Sequence, residues 1–336
     1  MDMNLTSTSK ETLSPSPNSS ETRVRVLILG SGPAGLTAAL YTARADLEPV
    51  VLTGMLLGGQ VSSSYTVENY PGFPDGIGGA QLVDLLQKQA ERFGARVEID
   101  TATEVDFSKR PFRVKTYSTT YLADAIIITT GATPRQLNIA GEKEFTGRGV
   151  SYCATCDGWF FKDKEVVVIG GGDSALEEGV FLTRFAKSVT IIHRRDTLRA
   201  GAVLQDQAKN NPKIKFIWNS IPTEIIGKDT VQTLRIKDVV TDKEQDIRID
   251  GVFVFIGHTP NTELFQGQLS TDEKGYIQTD KLMRTNVAGV FAAGEVADPY
   301  FRQVITSAGM GAAAAIQANH FLDEVASEDN QETISA

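Results

Sequence analysis

Long apolar runs, basic charge and cysteine are all scarce in this sequence of 336 residues. It has no stretch of about 18 apolar residues, so we expect no association with a membrane. The 42 acidic residues outnumber the 33 Lys and Arg, and a net charge of -9 argues against nucleic acid as a partner. Two cysteines cannot form a disulfide framework. The start lacks the apolar core of a signal peptide, so a cytoplasmic location is expected.

The length favours two domains, because a typical domain has roughly 150 residues. The composition, 41% hydrophobic and 22% charged, is that of an ordinary globular protein. Residues 1–22 are short, polar and interrupted by two prolines, so we expect a disordered extension, with the fold beginning near Arg23. One sequence pattern then occurs twice, about 140 residues apart: an apolar run, a glycine turn, a helical stretch and a second apolar run. We therefore predict an α/β fold with two Rossmann-like dinucleotide-binding domains.

Two segments of the form Gly-x-Thr-Pro, at 131–134 and 257–260, flank the second of these units. Glycine permits unusual backbone angles and proline restricts the residue before it, so both segments suit linkers. The second unit is therefore expected to be inserted into the first. The predicted division is a first domain of residues 23–131 and 260–326, an inserted domain of residues 135–256, and a frayed tail of residues 327–336.

The first glycine turn has the spacing G-x-G-x-x-G between a predicted strand and a predicted helix. Such a turn lets the backbone approach a pyrophosphate, which then faces the helix N-terminus. The acidic residue that often follows the second strand is missing, since that strand runs into Thr53 and Gly54. A glycine-rich turn without a ligand is the plainer alternative. The turn consists of Gly30, Ser31, Gly32, Pro33, Ala34 and Gly35.

The second turn is followed by arginines where an NAD site would have a carboxylate. Guanidinium groups bind phosphate in a charge-assisted fork, so this arrangement selects the 2′-phosphate of NADPH. The alternative is a solvated charged face. The predicted NADPH residues are Gly170, Gly171, Gly172, Asp173, Ser174 and Ala175 in the turn, and His193, Arg194, Arg195 and Arg199 after the strand.

Both cysteines fall in one motif, Cys153-Ala154-Thr155-Cys156, followed by Asp157. Half of a zinc site would need two more soft ligands, and the chain has no other cysteine and only three histidines. A pair of inert buried thiols is the second alternative. The spacing within an α/β chain favours a redox dithiol, with Asp157 available to move a proton.

These three motifs in this order resemble low-molecular-weight thioredoxin reductase, and the resemblance spans about residues 23 to 323. It implies FAD in the first domain, NADPH in the inserted domain and a homodimer. The matching segments also include Glu68–Phe73, Arg148–Ser151, Gly257-His258 and Tyr300–Gln303.

By this resemblance, a further set of residues contacts FAD. The family's usual Gly-Asp pair is Gly294-Glu295 here, so the carboxylate that would accept a bond from the ribityl chain is one methylene longer. The implied FAD residues outside the glycine turn are Thr53, Gly54, Gly59, Gln60, Asn69, Gly294, Glu295, Arg302 and Gln303.

The resemblance also implies a path for electrons, from NADPH to FAD, to the Cys153–Cys156 disulfide, and to thioredoxin or a thioredoxin-like protein. In it Cys156 faces the flavin, Cys153 attacks the substrate disulfide and Asp157 is the acid and base. Since the cysteines share a domain with the NADPH loop, the disulfide and the nicotinamide must reach the one flavin alternately. Related enzymes rotate the inserted domain, and the two linkers are candidate hinges.

Three other activities remain open from the sequence. A hydroperoxide-reductase flavoprotein has a similar body but an added N-terminal dithiol domain, and residues 1–22 contain no cysteine. A dithiol oxidase of this fold passes electrons to oxygen and would not need Arg194, Arg195 and Arg199. A non-catalytic dinucleotide sensor would not need the cysteine pair.

Overall fold

The computed structural model describes residues 21–335, with side chains as far as residue 328. It has two open sheets flanked by helices, each with a parallel core and a glycine turn after its first central strand. The predicted α/β fold with two Rossmann-like units is confirmed. Within the described chain no helix is both long and apolar enough to cross a membrane.

The first domain contains a seven-stranded sheet of order β3-β2-β1-β6-β5-β4. Strand β6 pairs with β5 through its first half and with β17 through its second half. The inner strands are buried on both faces, as expected for a parallel sheet covered by helices. The strands are β1 (Glu21–Leu29), β2 (Val50–Leu52), β3 (Arg96–Glu98), β4 (Ala102–Asp106), β5 (Phe112–Thr116), β6 (Thr120–Ile128) and β17 (Val290–Ala292), and the helices are α1 (Pro33–Arg44), α2 (Gly79–Glu91) and α7 (Val304–Ser335).

Helices α1 and α7 pack closely on one face of this sheet. A Cβ on Gly311 of α7 would lie 2.1 Å from the carbonyl oxygen of Ala34, so only glycine allows this approach. Around the contact, small residues such as Ala38, Ala314 and Ala318 are fully buried. The contact fixes the start of α1, which follows the first glycine turn.

The inserted domain has a parallel sheet of order β11-β10-β9-β15-β8 and a separate antiparallel sheet, β12-β13-β14, which the sequence analysis did not predict. Its strands are β8 (Val150–Ser151), β9 (Glu165–Ile169), β10 (Ser188–Ile192), β11 (Ile214–Ile217), β12 (Ser220–Gly227), β13 (Val231–Asp238), β14 (Glu244–Arg248) and β15 (Gly251–Val254). Its helices are α3 (Glu142–Phe145), α4 (Ala154–Asp157), α5 (Asp173–Leu182) and α6 (Ala202–Lys209).

The two linkers pair with each other. Strand β7 (Ala132–Pro134) and strand β16 (His258–Pro260) form a short antiparallel ribbon, in which His258 faces Pro134. The ribbon carries the chain into and out of the inserted domain at one place. This is the geometry of a two-stranded connection between domains.

Both ends of the fold differ from the predicted boundaries. Strand β1 begins at Glu21, because Glu21 and Thr22 pair with β6, and residues 1–20 of the predicted extension lie outside the described residues. Helix α7 continues to Ser335 through the segment predicted to be frayed from Ser327. No glycine or proline interrupts the chain after Gly311, and the Ser327 hydroxyl donates to the carbonyl of Asp323 within the helix.

Candidate active site

The first glycine turn follows β1 and leads directly into α1. Gly30 has φ +114°, and a Cβ there would lie 2.4 Å from the carbonyl oxygen of Thr129. A Cβ on Gly35 would lie 1.9 Å from the carbonyl oxygen of Gly30, so the helix packs too tightly for any other residue. Helix α1 begins at Pro33, and no side chain caps Gly32. The first amides of the helix are therefore left to bind an anion, which fits the pyrophosphate of a dinucleotide.

Several of the residues implied for FAD lie around this turn. The buried Ser31 hydroxyl donates to the carbonyl of Thr53 (3.2 Å) and accepts the N–H of Gly58 (3.0 Å). A Cβ on Gly59 would lie 3.4 Å from the Cα of Gly32. Gly54, next to Thr53, has φ +70°. The turn and the loop after β2 thus form one continuous cradle.

Glu295 is mostly buried beside Gln60. The Gln60 side-chain amide donates to Glu295 Oε2 (3.0 Å) and also to the carbonyl oxygen of Ala132 in the linker ribbon. Burial raises the pKa of the Glu295 carboxyl, while the Arg302 guanidinium acts in the opposite direction. Gly294 precedes it with φ +77°. The structure thus places the Gly294-Glu295 pair and Gln60 at one end of the cradle.

Gln303 joins the first domain to the cysteine motif. Asn69 Nδ2 donates to Gln303 Oε1 at 3.0 Å, and Gln303 Nε2 donates to Thr155 Oγ1 at 3.0 Å. Gln303 Nε2 is also 3.8 Å from Cys153 Sγ. Asn69, Gln303 and the cysteine motif therefore meet in one place.

Arg302 points toward the linker ribbon. Its Nη1 donates to His258 Nδ1 at 2.7 Å. Burial, together with the Arg302 and Arg135 guanidinium groups, lowers the pKa of His258 to about 4. The ring is therefore neutral, with Nδ1 as the acceptor.

The second glycine turn follows β9 and leads into α5. A Cβ on Gly171 would lie 2.3 Å from His193 Nδ1, so this residue must be glycine for the histidine to pack there. Helix α5 begins at Asp173, and its N-cap residue, Gly172, has no side chain to accept hydrogen bonds from the first helical amides. The Asp173 carboxylate accepts the N–H of Gly201 at 2.8 Å. As at the first turn, the first helical amides are left for an anion.

The basic cluster lies beside this turn. The N–H of Arg199 donates to the carbonyl of Gly171 at 2.8 Å, which ties the cluster to the glycine loop. Arg194, Arg195 and Arg199 are exposed, whereas His193 is buried, and its Nε2 has no hydrogen-bond partner among the described residues. Burial lowers the pKa of His193. The remaining predicted residues of this loop are Gly170 with φ +153°, Ser174 half-buried and Ala175 fully buried in the first turn of α5.

Cys153 and Cys156 form a disulfide across the single turn α4, with their Cα atoms 5.3 Å apart. Cys153 is half-buried and Cys156 is exposed. Asp157 ends the turn, and burial raises the pKa of its carboxyl. The Ser151 hydroxyl donates to Asp157 Oδ2 at 2.6 Å. The alternative of two inert buried thiols does not describe this arrangement, because the two sulfurs form a disulfide and neither cysteine is fully buried.

Comparison with known proteins decides the family. The family of pyridine nucleotide-disulphide oxidoreductases matches residues 24–313. The chain belongs to this family. It is 50% identical over 310 residues to the thioredoxin reductase of Streptomyces coelicolor, an alignment that covers 91% of this chain and 96% of the relative. The predicted resemblance to thioredoxin reductases is confirmed.

Two solved structures extend the comparison. The thioredoxin reductase of Streptococcus pyogenes is 42% identical, with a TM-score of 0.86 over 90% of this chain and 99% of that chain. A thioredoxin reductase of Lactococcus lactis in the FR conformation is 43% identical over the same shares of both chains, but its TM-score is 0.61. Two relatives of nearly equal identity therefore differ in how well their whole chains superpose on this one.

The family uses FAD and NADPH, as the sequence predicted. The residues present fit both groups. The cradle around Gly32 has open amides for a pyrophosphate. The second loop has open amides, exposed arginines and a buried His193 nitrogen that has no partner within the described part of the chain. The contacts of individual residues with either cofactor stay predictions.

Two polar residues of the site were not among the predicted catalytic residues. In the sequence, Ser151 is conspicuous only as part of the segment that leads into the cysteines. Glu178 lies on α5, and burial raises the pKa of its carboxyl, while the Arg302 guanidinium and the backbone amides of Ala154 and Thr155 oppose this shift. No local pattern separates Glu178 from its exposed neighbour Glu177, since only the packing of α5 against α4 selects one of them.

Proposed function

We propose that the protein is an NADPH-dependent thioredoxin-disulfide reductase whose redox pair is Cys153 and Cys156. The observation that carries the proposal is an accessible disulfide held where the two dinucleotide-binding units meet, with Gln303 of the first domain against the turn that contains it. The thioredoxin reductases at about half sequence identity support the same activity.

Each glycine loop has its own cofactor in this account. The cradle around Gly32 binds FAD, with Glu295 and Asn69 near the flavin, and the loop at Gly171 binds NADPH. When bound, the two cofactors supply the hydride transfer that delivers two electrons from NADPH through FAD to the disulfide. Arg194 and Arg195 hold the 2′-phosphate, because exposed guanidinium groups beside a glycine loop suit this dianion.

The dithiol then exchanges with the substrate. The Cys153 thiolate attacks the thioredoxin disulfide, which forms a mixed disulfide and releases one substrate thiolate. Cys156 attacks Cys153 Sγ, which reforms the Cys153–Cys156 bond and releases the second substrate thiolate. Asp157 moves protons to and from the thiol groups, because burial keeps part of its carboxyl protonated at a higher pH than usual.

A rotation of the inserted domain about the linker ribbon would bring the NADPH loop to the flavin. The domains involved are residues 21–131 with 260–335, and residues 135–256. Two observations support the rotation: both linkers lie side by side in β7 and β16, and relatives of nearly equal identity superpose with TM-scores of 0.86 and 0.61. Movement of one rigid unit lowers such a score without any change of fold.

Exposed apolar side chains support the proposal that the protein binds a thioredoxin and forms a homodimer. Trp159 (57% exposed) and Phe160 (43% exposed) follow the cysteine turn directly and suit docking of a thioredoxin. In the first domain, Met55 and Tyr65 are each 89% exposed, which suits an interface between two copies in a homodimer. A dithiol that must be reduced in each cycle suits the cytoplasm.

Anaerobic assays with NADPH test this function. We expect NADPH to bleach the flavin and thioredoxin thiols to be released in proportion to the NADPH consumed. Release of thiols by none of a panel of thioredoxins would contradict the proposal. A flavin that NADPH does not bleach, together with oxidation of dithiols by oxygen, would favour the dithiol oxidase. Turnover of a hydroperoxide would favour the hydroperoxide reductase, and NADPH binding without any turnover would favour the sensor.

A further inference from the structure

One buried hydroxyl connects both ends of the cysteine turn. Ser151 ends strand β8, whose pairing with β15 fixes its backbone, and its side chain is 4% exposed. Its Oγ donates to Asp157 Oδ2 at 2.6 Å, and it accepts the N–H of Cys153 at 3.1 Å. The carbonyl oxygen of Cys153, 3.2 Å away, is a second acceptor for the same hydroxyl proton.

These three partners match the bonding capacity of a hydroxyl, which has one donor and two acceptor lone pairs. When Asp157 is ionised, Ser151 Oγ donates to the carboxylate and accepts the N–H of Cys153. When Asp157 is protonated, its O–H can donate to Ser151 Oγ, and the serine proton turns to the carbonyl of Cys153. The heavy atoms stay in place in both states.

We propose that Ser151 is the positioning residue for Asp157, with a hydroxyl that rotates so that this side chain keeps a hydrogen bond both as acid and as base. The proposal rests on the proposed role of Asp157 in the reductase cycle. Without the hydroxyl, both forms of this largely buried carboxyl would lose their partner. The ionised form would lose more, because its bond to the hydroxyl is charge-assisted and the site is shielded from water.

Among the groups around Asp157, Ser151 is the main one that opposes the effect of burial on the pKa of this carboxyl. The pKa of Asp157 is raised by burial and lowered by the Ser151 hydrogen bond, and no charged side chain of the described residues contributes. Titratable groups beside Asp157 are the two cysteines of the turn, Tyr152, which bonds to Glu142, and, from α5, Glu178, on which the Arg302 guanidinium and the amides of Ala154 and Thr155 act. On the first-domain side the turn meets the neutral amide of Gln303.

The test is the pH dependence of NADPH-driven thioredoxin reduction in the full-length holoenzyme. Ser151→Ala and Ser151→Gly both remove the hydroxyl, and we expect each to move the inflection caused by Asp157 upward by about 1 to 2 pH units, the effect of losing a hydrogen bond to a charged group. Ser151→Thr keeps a hydroxyl and should restore the wild-type inflection. Ser220→Ala is the matched control, since Ser220 is also 4% exposed at a strand end of the same domain, and its hydroxyl donates to the carbonyl of Trp218, away from the cysteine turn.

Asp157→Asn separates the outcomes. In its background the inflection should be lost, and adding Ser151→Ala should cause no further shift. If Ser151→Ala still moved an inflection of the pH profile by the same amount in the Asp157→Asn background, the proposal would be overturned. It would also be overturned if Ser151→Thr behaved like Ser151→Ala.

Titration of the Asp157 carboxyl band by infrared spectroscopy, assigned by its loss in Asp157→Asn, measures the shift in the pKa of Asp157 without turnover. An unchanged band in Ser151→Ala or Ser151→Gly would refute the positioning role even in an active enzyme. If the wild-type enzyme bleaches but releases no thioredoxin thiols, the proposed function fails instead.

Discussion

Gln303 Nε2 lies 3.0 Å from Thr155 Oγ1, and this hydrogen bond joins the first domain to the turn between the cysteines. In the proposed rotation, this bond would exist only in the orientation in which the cysteine turn contacts the first domain. Helix α7 begins immediately after Gln303, which anchors one partner of the bond to the first domain. The bond is therefore expected to favour this orientation over a rotated one.

Thr155→Val should weaken that preference. One neutral hydrogen bond contributes about 0.5 to 1.5 kcal/mol, so the balance between orientations should change by roughly 2- to 10-fold. We expect the first thiols after mixing with NADPH to form more slowly, as measured by rapid quenching with a thiol reagent. Thr155→Ser keeps the hydroxyl and is the control. Equal rates for the Val and Ser variants would show that the bond has no part in the orientation.

His258 should make folding stability depend on pH. Its pKa in the folded chain, about 4, lies below the ordinary 6.5, so the unfolded chain binds more protons between these values. Stability from this group is complete above about pH 6.5 and is lost as the pH falls toward 4. We expect the melting temperature of His258→Gln to fall less steeply between pH 7 and 5 than that of the wild type.

The exposed His320 offers the control for this measurement. His320→Gln should keep the steep wild-type decrease. If His258→Gln and the wild type lost stability in parallel as the pH falls, the neutral His258, which accepts a hydrogen bond from Arg302, would not be the source of the pH dependence.

Replacement of both Arg194 and Arg195 by alanine should weaken NADPH much more than NADH. Each charge-assisted phosphate contact contributes about 1.5 to 3 kcal/mol, so the preference for NADPH should fall about tenfold or more per contact. Steady-state kinetics with both nucleotides measure it. Lys187→Ala removes an exposed cation that pairs with Glu165 elsewhere in the domain and should leave the preference intact. An unchanged preference in the double variant would contradict the phosphate site.

Glu295→Ala should loosen FAD, measured as flavin retained through dialysis. The variant removes a buried acceptor beside Gln60, and an unsatisfied polar partner in the cradle costs about 1 to 3 kcal/mol. Glu295→Asp keeps the carboxylate and should retain FAD as well as or better than the wild type. Tighter retention in the Ala variant would mean that Glu295 does not face the flavin.

Local patterns account for what could be predicted from the sequence. Both glycine turns, the cysteine motif and the linkers consist of residues close in sequence, and their spacing directly reflects backbone geometry at Gly30 or Gly171. The twofold α/β pattern followed from buried parallel strands with continuous apolar runs.

Local patterns could not predict contacts between segments that are distant in the sequence. Nothing near Gln303 indicates its bond to Thr155, which is 148 residues away, and nothing near Glu178 indicates that it faces the cysteine turn. The antiparallel sheet β12-β13-β14 was missed because its strands are mostly half-exposed, so their apolar alternation is weak. The ends of β1 and α7 were misplaced because pairing of Glu21 with β6 and the continuation of a helix beyond Ser327 depend on tertiary and cooperative effects.

Cys153→Ser and Cys156→Ser can each be compared with the wild type under anaerobic conditions, for flavin bleaching by NADPH and for release of thioredoxin thiols. Reduction of the flavin precedes disulfide exchange, so both variants should bleach normally and release essentially no thioredoxin thiols, while the wild type does both. Substantial thioredoxin turnover by either single variant would show that Cys153 and Cys156 are not the redox pair.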